Sequence, residues 1–416
     1  MHFPWAWRGI PFLAAGVLCA AAAQAQEEGW HFGPGARISR PDFEFRLGGY
    51  AQEDFRSFHD YEDAHGQLPA LGATSELHRL RMGFEAQWRR LSVEFDYDPH
   101  DSSEHLKNLF AEVKVSKGLQ VTGGNMKVPV SAEWLTSAAK TDFIARSLLA
   151  SALAPGRDWG VKLSGEPLPR LSYQVGVFAG DGRTDQARAE TTVAARVEVA
   201  PVKPLDVGLS ASQGQVKPNP FVGDTAPAAK GFSVHAPSGF RLYERHFVQG
   251  TRRRLGADAR YHPKSFGLKL EVLQVKDDRN AQGSVLDDLP AEVFRSWAAS
   301  ATWLVTGERK ARTIKPDHPL DHHGIGAVEI GVRYDWLKVD DDGPDTGFQG
   351  AGNRARNIRP VSAHMITGGV SWWPVGYVRF MENVVGERYD DPLLAPVPGR
   401  KASYLTVLGR LQLSVP

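Results

Sequence analysis

Arginine and lysine recur at alternate positions of apolar-patterned segments: Arg46, Arg79, Arg81, Lys114, Lys162, Arg196, Arg254, Arg260, Lys269, Arg333, Arg379 and Arg410. A guanidinium stays charged at any relevant pH, and its planar fork meets two oxygens of a phosphate or carboxylate at once; lysine offers a point charge. Aligned on one face, such groups can guide an oxyanion through weak, repeated contacts. Acids share that face at Glu85, Glu94, Asp96, Glu112, Glu198, Asp258, Glu271, Glu329 and Asp335. For any single arginine, cross-strand salt bridging is therefore the plainer role. A second set, Lys127, Lys140, Arg146 and Arg157, lies in and around one long connection and is opposed by Glu133 and Asp142. The run Asp317-His318-Pro319-Leu320-Asp321-His322-His323 has the composition of a metal site, but without helical spacing or cysteine a flexible turn explains it better. Arg252-Arg253-Arg254 reads as a basic run at a strand's outer end, suited to lipopolysaccharide phosphates or solvent. The sequence holds no Gly-x-Ser-x-Gly elbow, Walker loop or His-Glu-x-x-His, so no catalytic residue and no cofactor is proposed.

The elements that must position these groups are strands. In Val328 to Trp336, the residues Val328, Ile330, Val332, Tyr334 and Trp336 share one face while Glu329, Gly331, Arg333 and Asp335 share the other. The same period places strands at about 43–55, 77–88, 91–98, 106–116, 119–127, 158–165, 170–179 and 191–199. Eight more follow at about 205–215, 252–261, 266–276, 295–305, 326–339, 365–373, 377–385 and 404–413, which makes about sixteen. The connections alternate. Joins such as Arg89-Arg90, Lys117-Gly118 and Pro374-Val375-Gly376 are tight, whereas 56–76, 128–157, 216–251, 277–294 and 340–364 are long. One connection on the tight side, 306–325, breaks the rule by being long.

Charged residues at 23% and mean hydropathy of −0.33 exclude both a disordered chain and a bundle of membrane helices. The balance of 49 cations and 48 anions gives no electrostatic footprint for nucleic acid. At the N-terminus, Arg8, an apolar stretch from Ile10 to Ala23 and Ala23-Gln24-Ala25 form the pattern of a secretory signal cleaved after Ala25. The stretch is about 14 residues, short of the roughly 20 that span a bilayer. A lipoprotein alternative at Cys19 is opposed by Leu18 at the position that calls for a small residue. The expected organisation is a signal at 1–25, a short periplasmic extension at 26–42 and one β-barrel domain at 43–416.

In hydrocarbon every backbone amide must be paired within the protein, so a spanning sheet has to close on itself. Alternate residues then divide between lipid and a wet lumen, with short turns at one rim and long loops at the other. Trp88, Tyr261, Trp297, Trp303, Tyr334, Trp336, Trp372 and Tyr377 fall near strand ends, where aromatic girdles form. A soluble β-sandwich would alternate in the same way, but the unbroken length and the one-sided short turns oppose it.

Several segments resemble the phosphate-selective porin O and P family. They are Phe43 to Tyr50, Arg79-Leu80-Arg81-Met82-Gly83-Phe84, Glu94-Phe95-Asp96, Gly124 to Pro129, Arg146-Ser147, Ala154 to Gly160, Tyr173 to Gly180, Gly326 to Tyr334, and Trp372-Trp373-Pro374 onward to Asn383. The resemblance implies a sixteen-stranded, homotrimeric outer-membrane channel whose third long loop, 128–157, folds into the lumen as the constriction. It implies passive diffusion of small hydrophilic solutes, anions such as phosphate first among them. Outer-membrane lipid and lipopolysaccharide would be the surroundings. Family C-termini usually end on an aromatic, whereas this chain ends Leu413-Ser414-Val415-Pro416. The alternatives are an outer-membrane hydrolase with a dispersed Ser-His-acid set and a plugged structural or adhesion barrel.

Overall fold

A computed structural model describes residues 30–33, 35–59, 74–102, 104–182, 190–217, 229–282, 287–341, 358, 360–392, 395–396, 399 and 402–415. The segment expected to be a signal, 1–25, lies outside the described residues. A hairpin of β1 (Trp30–Gly33) and β2 (Gly35–Arg40) precedes the barrel. The first half of the barrel is β3 (Phe43–His59), β4 (Thr74–Trp88), β5 (Leu91–Tyr97), β6 (Leu106–Ser116), β7 (Leu119–Lys127), β8 (Arg157–Leu168), β9 (Leu171–Phe178), β10 (Thr192–Val202) and β11 (Leu205–Val216). A short pair, β12 (Val234–His235) and β13 (Arg241–Tyr243), lies in the next loop. The wall resumes with β14 (Gly250–Tyr261), β15 (Phe266–Arg279), β16 (Leu289–Leu304), β17 (Ala327–Asp341), β18 (Val361–Val375), β19 (Val378–Tyr389) and β20 (Ser403–Val415).

Each wall strand pairs antiparallel with the next, and β20 pairs with β3 from Leu405↔His59 to Val415↔Gly49. The sheet is thereby a closed barrel of sixteen strands. All sixteen predicted strands are present, with ends displaced by a few residues. Below the end of β20, β2 takes its place against the start of β3, from Ala36↔Leu47 to Arg40↔Phe43. It thus pairs an edge that would otherwise be open.

Side chains sort as the period requires. On β17, Ile330 and Val332 are 41% and 51% exposed on the outer face, while Glu329, Arg333 and Asp335 are buried within. Trp88, Tyr261, Trp303, Trp372 and Tyr377 mark the short-turn rim, where Phe266 stacks on Trp303 at 5.6 Å and Trp372 on Phe380 at 5.4 Å. Placing a charge on the outer face would cost about 2–4 kcal/mol near the bilayer midplane. That cost holds every strand in register.

The interior departs from expectation, because it is not uniformly polar. Toward the long-loop rim, the inward positions of β15 to β20 carry Val275, Phe294, Leu337, Val339, Ala363, Met365, Val385 and Leu408, all buried. Two inserts cover them. One is loop 128–156, through Leu148, Leu149 and Leu153; the other is the segment bearing β12 and β13, through Phe232, Val234, Ala236, Leu242 and Tyr243. Water is excluded from this side of the bore by an ordinary apolar core inside the barrel.

Candidate functional site: the constriction and its charges

Loop 128–156 opens with a one-turn helix, α1 (Ala132–Leu135), capped by Ser131, whose side chain accepts from Trp134 N–H. A 3₁₀ turn (Ala138–Lys140) and a π-helical turn (Leu149–Leu153) follow. The loop reaches wall strands well separated from its own. Ile144 N–H donates to Asn383 at 2.8 Å, Arg333 to Ala145 O at 2.8 Å, Arg410 to Ile144 O at 3.2 Å and Arg379 to Thr141 O at 2.8 Å. Glu133 N–H donates to Glu271 of β15 at 3.0 Å. Two glycines of the wall admit the loop: a Cβ on Gly331 or Gly369 would stand 3.2 or 3.3 Å from the Phe143 ring.

The loop's acids are neutralised on the far wall. Asp142 accepts from Lys269 at 2.6 Å and from Lys310 at 2.8 Å. Burial would push the Asp142 carboxyl up, but these two cations outweigh it and hold the group well below the usual carboxylate range. Glu133 accepts from Ser147 N–H at 3.1 Å and from the Ser147 hydroxyl, and Arg333 lies 3.8 Å away. Among the described residues neither acid forms an ion pair within 4 Å with a cation of the loop, although Glu133 still acts on Arg146 through space.

Those cations have neutral partners. Lys127 donates to the carbonyls of Trp134 and Thr136, and Arg146 donates to the carbonyls of Glu133 and Thr136. Both lie over the Trp134 ring, at 5.4 and 5.3 Å. Arg79 donates to Gln52 at 3.1 Å, and Lys140 is exposed. Among the described residues, no carboxylate comes within 4 Å of Arg79, Lys127, Lys140 or Arg146. Arg81 and Arg157 are held loosely: Arg81 is 3.8 Å from Asp96 and 3.7 Å from Asp98, and Arg157 is 3.6 Å from Glu104 while donating to Asn108 at 3.0 Å. Burial, opposed by Glu133 and Tyr50 and reinforced by Arg81, pushes the Arg146 guanidinium down from its ordinary range; it remains charged. Arg79, Arg81, Lys127, Arg146 and Arg157 are linked by mutual repulsion, and Arg81 lies over the Tyr50 ring at 5.7 Å.

The other arginines of the inner face do different work. Arg254 donates to Asp181 at 2.7 Å and to Leu153 O at 2.9 Å, tying the π turn to the wall. Arg333 binds Asp335 at 2.7 Å, and Arg260 pairs with Glu198 and lies 3.6 Å from Asp258. Arg46, half exposed, contacts Glu44 at 2.6 Å and Glu85 at 3.8 Å. Contrary to the expectation of a basic run open to lipopolysaccharide or solvent, Arg252-Arg253-Arg254 turns only one side chain outward. Arg252 and Arg254 point inward and are fully ion-paired with Asp181 and Asp277, leaving only Arg253 to the outer face, 3.3 Å from Asp278. Burial would push the Asp181 carboxyl up, but Arg252 and Arg254 keep it well below its ordinary range. His318, His322 and His323 lie at a turn around a short 3₁₀ segment (Leu320–His322), and among the described residues no cluster of three metal-ligating side chains occurs.

Between the loop and the wall of β3, β4, β5, β19 and β20 lies a cavity of about 550 Å³. Arg46, Tyr50, Glu85, Glu94, Asp96, Lys140, Arg312 and Arg379 line it. Sequence reasoning missed Arg312 and Lys310 because both sit in the anomalous connection 306–325.

A closed sixteen-strand barrel with an outward apolar band, an inserted constriction loop and a polar passage is a porin-type channel of the outer membrane. The family model for phosphate-selective porin O and P matches residues 45–414, and the chain belongs to that family. Among solved structures, the chain is similar to OmpT, an outer membrane protein of Vibrio cholerae, with TM-score 0.57, 10% identity, and coverage of 91% of this chain and 99% of that one. The anion-selective porin from Comamonas acidovorans gives 0.53, 14%, 90% and 100%, and the outer membrane channel DcaP of Acinetobacter baumannii gives 0.53, 10%, 90% and 98%. A search of curated proteins found no match.

Proposed function

We propose that this porin passes small hydrophilic anions, phosphate among them, along the β3–β8 side of its lumen. The observation that carries this is the sorting of loop charges. Asp142 is held by Lys269 and Lys310 and Glu133 lies 3.8 Å from Arg333, while Lys127 and Arg146, with Arg79 of β4, have neutral acceptors and no carboxylate within 4 Å among the described residues. Selectivity depends on where charges sit, so an overall balance of charge does not oppose it. The family description and the anion selectivity stated for the Comamonas acidovorans porin support the same choice of solute. Contacts of this kind release their ion quickly, as conduction requires, and no catalytic step is involved.

On the same view the chain is exported with residues 1–25 removed, and 26–42 forms a periplasmic extension. It assembles as a homotrimer amid lipid and lipopolysaccharide. The test is reconstitution in a planar bilayer. Stepwise conductance, a reversal potential of anionic sign and concentration-dependent block by inorganic phosphate are expected; cation preference would overturn the proposal. The apolar core inside the barrel favours a second reading, a plugged structural barrel, which would give no conductance steps.

A further inference from the structure

The connection 306–325 is long where every other described turn at its rim is tight, and it folds back under the constriction. It is anchored first at the barrel's base. Val305 N–H donates to Val328 O at 2.9 Å, Val328 N–H to Thr306 at 3.0 Å, and Ser265 to Gly307 O at 2.9 Å. Lys310 N–H donates to Lys264 O at 2.7 Å. Ile314 then enters a small apolar cluster with Leu304, Ala327 and Trp373. From this footing the Lys310 side chain crosses the bare backbone of Gly267, where a Cβ would stand 3.2 Å from its Cε. Its side chain is 6% exposed, and the ammonium ends between Glu329 of β17 and Asp142 of the constriction loop.

Resting on the pore reading above, we propose that Lys310 is a positioning residue for the constriction: a latch from the periplasmic turn that fixes the loop at Asp142 and thereby sets conductance. Other anchors of the loop tip, from Arg333, Asn383, Arg379, Arg410 and Lys269, come from wall strands. Lys310 comes from a turn, so anything that shifts the turn shifts the loop. Its ammonium also answers two carboxylates. Removing it leaves Glu329 buried without a cation within 4 Å among the described residues, and leaves Asp142 with Lys269 alone. A buried carboxylate without a partner draws in water or moves.

The test uses the full-length protein in planar bilayers, with heat-modifiable gel migration confirming a folded barrel. In Lys310→Met with Glu329→Gln, which removes the pair without stranding a charge, open-channel current noise is expected to rise at least threefold, and closure to begin at lower voltage. Asp142→Asn should do the same from the loop side. Combining all three changes should add little to Asp142→Asn alone, because that variant already releases Asp142 from Lys310 as well as from Lys269. Lys310→Arg should restore quiet conduction, which a purely stabilising lysine would not link to noise. Wild-type noise and closure in both variants, or additive effects in the combination, would overturn the latch while leaving the pore intact. A wild-type chain that never conducts would remove the pore reading, and the latch with it.

Discussion

Replacing Lys140 and Arg146 together by glutamine removes two loop cations that have no carboxylate within 4 Å among the described residues, and it retains donors for the Glu133 and Thr136 carbonyls. An ion passing about 5 Å from a unit charge gains or loses about 0.8 kcal/mol in water, and about 3 kcal/mol at the effective dielectric of a protein surface. Using the lower value and a Debye length of about 10 Å at 0.1 M salt, each charge contributes about 0.5 kcal/mol. Anion attraction and cation repulsion act together. The permeability ratio should therefore move by about 1 kcal/mol per charge, roughly fivefold, and about tenfold for the pair once the exposure of Lys140 is allowed for. The assay is reversal potential under a tenfold KCl gradient, where a perfectly selective pore would give about 59 mV. At 1 M salt the Debye length shrinks to about 3 Å, and wild type and variant should converge. Arg146→Lys alone should keep most of the preference. If the double variant, confirmed folded, changes the ratio at 0.1 M by less than about twofold, the assignment of loop charge to selectivity is refuted.

On the outer face, Val332→Arg should destabilise the barrel folded into vesicles by about 2–4 kcal/mol; a loss below about 1 kcal/mol in urea titration would place that residue away from lipid. His262, in the turn after β14, is pushed down to about 4, chiefly by burial and then by Lys269, with Lys310 adding to the effect and Asp142 opposing it. Because its folded value lies below the ordinary 6.5, the unfolded chain takes up the proton first, and stability falls as pH drops from about 6.5 to 4. His262→Gln should remove that component, seen as a smaller drop in the temperature of heat-modified migration between pH 7 and pH 4.

The barrel was legible because lipid enforces a strict rule on every second residue. Ile330 and Val332 against Glu329 and Arg333 could be assigned from parity alone, since no alternative register hides the charges. Within the lumen no such rule operates. Arg146 and Arg254 are both arginines facing inward, yet one meets carbonyls and the other Asp181, and only the folded path of the loop decides which. Loop acids read as opponents of loop cations because they are neighbours in sequence. Their partners, Lys269, Lys310 and Arg333, are more than a hundred residues away. One signal in the sequence does mark the internal core. Phe143-Ile144 and Leu148-Leu149 in a supposedly wet loop, and Leu337 and Val339 on the polar face of a strand, are apolar residues that need each other.

That internal core bears on selectivity as well as shape. Filling the β15–β20 side with Leu148, Leu149, Leu153, Phe294 and Met365 narrows the bore and replaces water with a low-dielectric wall on one side of the constriction. On the anion reading proposed above, field lines from Arg79, Lys127 and Arg146 would be less dissipated than in an open bore, so a few cations with no carboxylate within 4 Å among the described residues would act as a larger number would in water. The core also anchors the loop by packing while Arg333, Arg410 and Asn383 hold it by hydrogen bonds. Guanidiniums fixed before the ion arrives need no reorganisation as it passes. Weak contacts at fixed positions are what a channel requires if it is to prefer an ion without retaining it.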